Sequence, residues 1–132
     1  MCGIIGIISS KEVSNRIVNS LKKLEYRGYD SAGIATLVDG NINEVKCEGR
    51  VDVLEKDISK FNLKGDIGIG HVRWATHGKP SKINAHPHSS EQVSVVHNGI
   101  IENSTILKKL LEKKGYVFKS QTDTEVIAHL VT

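Results

Sequence analysis

The chain has 132 residues, of which 39% are apolar and 25% are charged, and its net charge is +3 with histidine neutral. This length fits one domain with a real core, and the mild charge excludes a typical nucleic-acid-binding protein. Two cysteines do not form a disulfide framework. The apolar run at residues 4–8 is too short for a signal peptide or a membrane span. We therefore expect a cytoplasmic protein in a reducing compartment.

The spacing of apolar residues predicts a mixture of strands and helices. Residues 3–9 predict a buried strand, and the next helix starts near residues 9–12 and ends before Gly28. Asp39-Gly40-Asn41 predicts a turn between strands at 34–38 and 42–47. The next predicted elements are a short surface helix at 51–61, a strand at 66–75 and a long loop at 76–90. A strand at 92–97 is predicted to continue over 100–103. The last two are a helix at 105–114, capped by Ser104 and ended by Gly115, and a helix at 125–131.

The connector at residues 25–35 is unusually rich in polar and aromatic side chains. One interpretation is a polar loop that leads into a strand. The other is that Arg27, Tyr29, Asp30 and Ser31 line a site, since functional residues concentrate on loops.

Cys2 follows the initiator methionine directly, so removal of Met1 would leave it with both a thiol and a free α-amine. An α-amine titrates near about 7.7–8.0 and a thiol near about 8.5. One residue then holds a nucleophile and a general base, the pairing that nucleophilic catalysis requires. The alternative is that Cys2 is simply the start of a buried strand, because free cysteine is among the most buried residue types.

Two other chemistries fit the sequence poorly. His71, His77, His86 and His88 suggest a metal site, but their spacing matches no zinc motif, so we predict no metal and no cofactor. A serine–histidine–aspartate set from Ser31, His97 and Asp123 lacks the strained turn that presents a nucleophilic serine.

Several residues instead suit attack on an amide by a thiolate. Asn98-Gly99 offers adjacent side-chain and backbone N–H donors for an oxyanion, although the same dipeptide is typical of an ordinary turn. Arg73 can bind a carboxylate through two hydrogen bonds, and Asp123 can accept an ammonium. Their alternatives are a surface ion pair for Arg73 and a helix N-cap for Asp123.

These residues lie in stretches that closely resemble the glutaminase domain of the glucosamine-6-phosphate synthase family. The opening MCGIIG alone fits any amidotransferase with an amino-terminal nucleophile. The resemblance covers nearly the whole chain apart from about residues 39–65. The remaining stretches are LEYRGYDSAGIA at 24–35, HVRWATHGKPS at 71–81, NAHPH at 84–88, VVHNGIIEN at 95–103 and TDTEVIAHL at 122–130.

The resemblance implies an α+β fold of the N-terminal-nucleophile (Ntn) hydrolase type, a four-layer αββα sandwich of antiparallel sheets that is incomplete in this chain. It also implies that the cysteine attacks the side-chain amide of L-glutamine and releases ammonia, with the glycines of strand 3–9 making room for substrate. By motif, Asn98 and Gly99 form the oxyanion hole, and Arg73, Thr76, His77 and Asp123 bind glutamine. Trp74 resembles a gate residue, and Arg27 and Tyr29 resemble residues that shield the nucleophile.

The resemblance further implies that residues 1–132 are the amino-terminal part of a glutaminase domain, because the chain stops at Thr132 without a tail. We expect a longer, homo-oligomeric enzyme in which an isomerase domain absent here binds fructose 6-phosphate, without nucleic-acid or membrane partners. The alternatives are the glutaminase domain of a phosphoribosylpyrophosphate amidotransferase-like enzyme, or an inactive fragment or binding module.

Overall fold

A computed structural model describes residues 2–75 and 78–132. Four antiparallel strands form the sheet that we call sheet A, in the order β1-β4-β2-β3. They are β1 (Gly3–Ile8), β2 (Ser31–Val38), β3 (Asn41–Glu48) and β4 (Ile67–Arg73). The four strands expected in this part of the chain are therefore confirmed. The β2–β3 turn consists of Asp39 and Gly40, both at positive φ (50° and 79°), while Asn41 already pairs with Val38.

Two helices cover one face of sheet A, which we call the helix face. They are α1 (Ser14–Leu24), followed by a 3₁₀ turn at Glu25–Arg27, and α2 (Val51–Ile58). The helix does end before Gly28 as expected, but it starts at Ser14 and not at residues 9–12. The description of 51–61 as a surface helix is wrong in part, since Val51 and Leu54 are buried in the core.

Strand glycines on the helix face allow close packing of α1. A Cβ added at Gly3 would lie 2.9 Å from side-chain atoms of both Leu24 and Val72. Ile17 and Leu21 of α1 are fully buried against the same face. Contact with the end of the helix thus accounts for the glycine at position 3, where the resemblance implied access for substrate.

The opposite face of sheet A, which we call the site face, meets a second, two-stranded sheet. Sheet B pairs β5 (His88–Ser89) with β6 (Ser94–Val95), and the Ser89 hydroxyl donates to Glu44 Oε2 at 2.7 Å. Close approach requires a glycine at position 33, where a Cβ would lie 1.9 Å from the carbonyl oxygen of His86. The final helices are α3 (Ser104–Lys113) and α4 (Glu125–Val131), with α4 packed on sheet B. The order of layers is α, β, β, α.

Some expectations for the second half are wrong in detail. The strand expected at 92–97 pairs only at Ser94–Val95, because its partner β5 is equally short. Residues 100–103 form no strand, since 102–103 are a turn, and Ser104 begins α3 whereas Asn103 occupies the cap position. The strand at 3–9 is only half-buried, since Ile8 on the site face is 82% exposed. Gly115 follows α3 at positive φ (94°), as expected.

Candidate active site

A cavity of about 390 Å³ opens where β1 begins beside the end of β4. Nine residues singled out in the sequence line it: Cys2, Arg27, Arg73, Trp74, His86, His97, Asn98, Gly99 and Asp123. They come from both ends of the chain, so the layered fold brings together residues about 120 positions apart. Of the others, Tyr29 packs edge-on against the Trp74 ring with centroids 5.7 Å apart. Thr76 and His77 lie outside the described residues, so their predicted contacts remain predictions.

Cys2 lines this cavity and makes hydrogen bonds with three residues. Its Sγ accepts from the backbone N–H of Trp74 at 3.1 Å. Its carbonyl oxygen accepts from Arg27 Nε at 2.9 Å and from Asn98 Nδ2 at 3.1 Å. Cys2 precedes β1 and is only partly buried, so it is not an interior residue of a buried strand. A backbone N–H directed at the sulfur stabilises negative charge there.

Asn98 and Gly99 form one wall of the cavity in a loop after sheet B. Gly99 has φ of 141°, which a residue with a side chain rarely adopts. The Asn98 side chain connects two parts of the site: Nδ2 reaches Cys2, while Oδ1 lies 3.1 Å from His71 Nε2. This dipeptide therefore does more than reverse the chain direction.

Arg73, at the end of β4, is 3% exposed, which excludes a surface ion pair. Its guanidinium donates to the carbonyl oxygens of Gly78 and Lys79, each at 3.2 Å, and lies 4.0 Å from Asp30 Oδ1. Burial lowers the pKa of Arg73, and the negative charges of Asp30 and Asp123 act in the opposite direction. Arginine remains charged in proteins, so the cavity wall carries a fixed positive charge.

Asp123 supplies a buried carboxylate to the same cavity. It is 6% exposed, and its Oδ2 accepts from the backbone N–H of Ile101 at 2.6 Å. The N-cap alternative fails because Thr124 occupies the cap position of α4, and no side chain bonds to that cap. The cavity thus presents a cation and an anion, the two charges that complement an α-amino acid.

Asp30 organises the segment that carries Arg73 and Trp74. Its backbone N–H donates to the Arg73 carbonyl at 3.3 Å, and its Oδ2 accepts from the N–H of Ala75 at 2.5 Å. Its Oδ1 accepts from the Ser31 hydroxyl at 2.9 Å. The connector at 25–35 therefore borders the site, and Ser31 is engaged with Asp30. His97 pairs through Nδ1 with Thr124, so Ser31, His97 and Asp123 form no triad.

Three buried histidines pack together beside the site, and one of them, His86, lines the cavity. His71 and His86 stack with ring centroids 4.0 Å apart, and His88 meets His86 edge-on at 4.7 Å. Burial lowers the pKa of His71 to about 4, that of His88 to about 3, and that of His86 further still, so all three rings are neutral near pH 7. Among the described residues no group of three or more metal-ligating side chains is arranged to hold an ion.

Sequence reasoning considered His71 only as a metal ligand and missed its contact with Asn98. A signal was present, because His71 stands two residues before Arg73 in a predicted strand. Residues two apart share one face, so His71 was bound to lie on the same face as a predicted site residue.

The chain is similar in sequence to proteins of known function. A family model described as "Glutamine amidotransferase domain" matches residues 71–132. Curated proteins named glutamine–fructose-6-phosphate aminotransferase (isomerizing) match the whole chain: that of Clostridium acetobutylicum is 59% identical over 99% of this chain, that of Francisella tularensis 60% over 99%, and that of Brucella abortus 58% over 100%. The chain is therefore similar to these aminotransferases over its whole length and to the glutamine amidotransferase domain over residues 71–132. It spans 22% of the length of each of these relatives.

The fold of the chain also occurs in solved structures. A glutamine phosphoribosylpyrophosphate amidotransferase from Bacillus subtilis, complexed with ADP and GMP, matches with a TM-score of 0.80 at 32% identity. That match covers 99% of this chain and 29% of the other. The expected α+β fold of the Ntn type is therefore confirmed. In the described residues, no helix has the length and apolar character needed to cross a membrane.

Proposed function

We propose that the chain hydrolyses L-glutamine to glutamate and ammonia as the glutaminase part of a glutamine–fructose-6-phosphate aminotransferase. The convergence of Cys2, Asn98, Arg73 and Asp123 on one cavity carries this proposal. The whole-chain identity of 58–60% to relatives with that name supports the choice of branch.

In this mechanism the ends of the substrate are recognised by charge. The buried Arg73 guanidinium binds the α-carboxylate of glutamine, and the Asp123 carboxylate accepts its α-ammonium. A partly enclosed cavity strengthens both interactions because water screens them less. The side-chain amide of glutamine then points towards Cys2. Thr76 and His77 complete the binding site in this proposal.

The reaction proceeds in two steps. With Met1 removed, the α-amine of Cys2 takes the thiol proton, and Sγ bonds to the amide carbon while Asn98 Nδ2 and the Gly99 N–H stabilise the oxyanion. The carbon–nitrogen bond breaks, and the same proton goes to the leaving nitrogen, which departs as ammonia. Water then attacks the thioester, the carbon–sulfur bond breaks, and glutamate leaves with the thiol restored. Arg27 holds the Cys2 carbonyl, while Tyr29 and Trp74 shield the sulfur.

In the longer natural protein, we propose that ammonia passes from this domain to an isomerase domain that binds fructose 6-phosphate. The product would be glucosamine 6-phosphate for amino-sugar synthesis in the cytoplasm, by a homo-oligomer. Residues 1–132 would then be part of the glutaminase domain only. The solved phosphoribosylpyrophosphate amidotransferase supports a second candidate, a glutaminase that serves phosphoribosylpyrophosphate. Its 32% identity is well below that of the aminotransferase relatives.

Intact mass before and after a glutamine-like diazo-ketone tests the proposal. We expect a chain without Met1 that gains one adduct on Cys2, and a Cys2→Ala variant that gains none and releases no ammonia from glutamine. Cys47→Ala is the matched control and should label like the wild type. A Cys2→Ala variant with undiminished glutaminase activity would refute the proposal. In the full-length protein, formation of an amino sugar from fructose 6-phosphate distinguishes the first candidate from the second.

A further inference from the structure

His71 is a buried residue that contacts Asn98, and the mechanism above leaves this contact unexplained. It lies on β4, two residues before Arg73, and is 0% exposed. Its Nε2 lies 3.2 Å from the carbonyl oxygen of His97 and 3.1 Å from Asn98 Oδ1. The His71 ring therefore directs one nitrogen at Asn98, the residue that contacts Cys2. Such a hydrogen-bonding group can fix the orientation of its partner, which apolar packing does not do.

The hydrogen bonds of the Asn98 side chain determine which way its amide group is oriented. The carbonyl oxygen of His97 can only accept, so His71 Nε2 carries a hydrogen. The carbonyl oxygen of Cys2 can also only accept, so Asn98 must present its NH₂ group there. The Asn98 oxygen therefore faces His71. The contacts with His71 and with Cys2 require the same orientation of the amide.

The surroundings of the ring keep this tautomer in place. His71 Nδ1 is buried, without a hydrogen-bond partner among the described residues, so a proton there would be unsatisfied. The His86 ring stacks on His71 at 4.0 Å with an 11° angle between the planes, which prevents the ring from rotating freely. Burial also lowers the pKa of His71 to about 4, so the ring remains neutral at ordinary pH.

We propose that His71 is a positioning residue that holds the Asn98 amide with its NH₂ group towards Cys2 and the cavity. This inference rests on the proposed function, in which Asn98 stabilises the oxyanion. Without the N–H at His71 Nε2, the amide can reverse and present its oxygen to the developing negative charge. Electrostatic stabilisation of this kind depends on donors that are oriented before the reaction begins.

Variants at position 71 separate this role from simple packing. His71→Leu removes the donor, and we expect kcat for glutamine hydrolysis to fall on the order of 10- to 100-fold, with KM changed less than about 3-fold. His71→Gln places an N–H near the position of Nε2 and should restore kcat to within about 5-fold of the wild type. His129→Leu, at a buried histidine on α4 outside the cavity wall, is the control for loss of a buried ring.

The decisive comparison is made in an Asn98→Ala background. If His71 acts through Asn98, adding His71→Leu to Asn98→Ala causes no further loss of kcat. An equal loss in both backgrounds would overturn the proposal, as would His71→Gln behaving like His71→Leu. Thermal unfolding of each variant sets the temperature at which all are folded.

Nitrogen-15 NMR gives a readout that does not require turnover. We expect a protonated Nε2 on His71, and an Asn98 side-chain NH₂ signal that shifts in His71→Leu and returns in His71→Gln. A protonated Nδ1, or an Asn98 signal unaffected by His71→Leu, would overturn the proposal. If the folded wild type shows these NMR signals without any glutaminase activity, the proposed function fails while the positioning contact stands.

Discussion

The two faces of sheet A depend on different kinds of interaction. On the helix face, fully buried Ile17 and Leu21 pack against strand residues such as Val72. On the site face, the neighbours of Val72 in β4 are His71 and Arg73, which are equally buried but hydrogen-bonded. Apolar burial stabilises without preferred direction, whereas hydrogen bonds fix orientation. One strand therefore contributes to stability and to the site through alternate residues.

This division predicts that acid disrupts the site face first. The pKa values of His71, His86 and His88 are lowered in the folded chain, mainly by burial, whereas histidine in an unfolded chain titrates near about 6.5. As pH falls below about 6.5, the unfolded state therefore binds more protons and the free energy of unfolding decreases. The stabilisation is fully present above pH 6.5 and is lost towards the folded pKa, about 4 for His71. Each extra proton contributes about 1.4 kcal/mol per pH unit, so three protons contribute at most about 4 kcal/mol per pH unit.

Urea unfolding at several pH values measures this effect. Between pH 5 and pH 6.5 ordinary carboxyl groups remain ionised, so the slope in this range reports the histidines. A free energy of unfolding that is constant over this range would show that the stacked rings are not buried as described.

A substitution on the helix face should lower the stability of the chain and leave the reactivity of Cys2 unchanged. Leu21→Ala leaves a cavity under α1, and we expect the free energy of unfolding to fall by about 2–5 kcal/mol. At a temperature where the variant remains folded, the rate at which the diazo-ketone labels Cys2 should stay within about 2-fold of the wild type. Leu110→Ala, at a half-exposed position on α3, is the control and should cost less than about 0.5 kcal/mol. A folded Leu21→Ala variant that no longer labels would contradict the separation of the faces.

The two cysteines provide the test with the smallest expected effect on stability. Cys47 is 3% exposed on the helix face, and burial raises its pKa to about 11. Brief treatment of the native chain with an alkylating reagent should therefore modify Cys2 and leave Cys47 intact. Cys47→Ala should lower the free energy of unfolding by about 1 kcal/mol, since it removes one buried sulfur atom. Two adducts on the native chain by mass spectrometry would contradict this assignment.

Periodicity alone predicts much of sheet A and its helices, because each of these elements carries its own alternation of apolar residues. The limits of β6 and the turn at 102–103 depend on how much partner strand is available, and this is not visible in local sequence. The orientation of the Asn98 amide is likewise not visible in local sequence. It requires His71 on β4 and Cys2 just before β1, which are 69 positions apart in the sequence. The sequence identifies the site residues by type, and the fold supplies their directions.

The anchorage of Cys2 also bears on maturation of the chain. Its sulfur contacts Trp74, and its carbonyl oxygen accepts from Arg27 and Asn98. None of these three contacts involves the backbone nitrogen of Cys2. Cleavage of the preceding peptide bond therefore leaves each of them in place, and the new amino group arises on a residue that is already docked. Processing in this arrangement can follow folding, since it requires no rebuilding of the site.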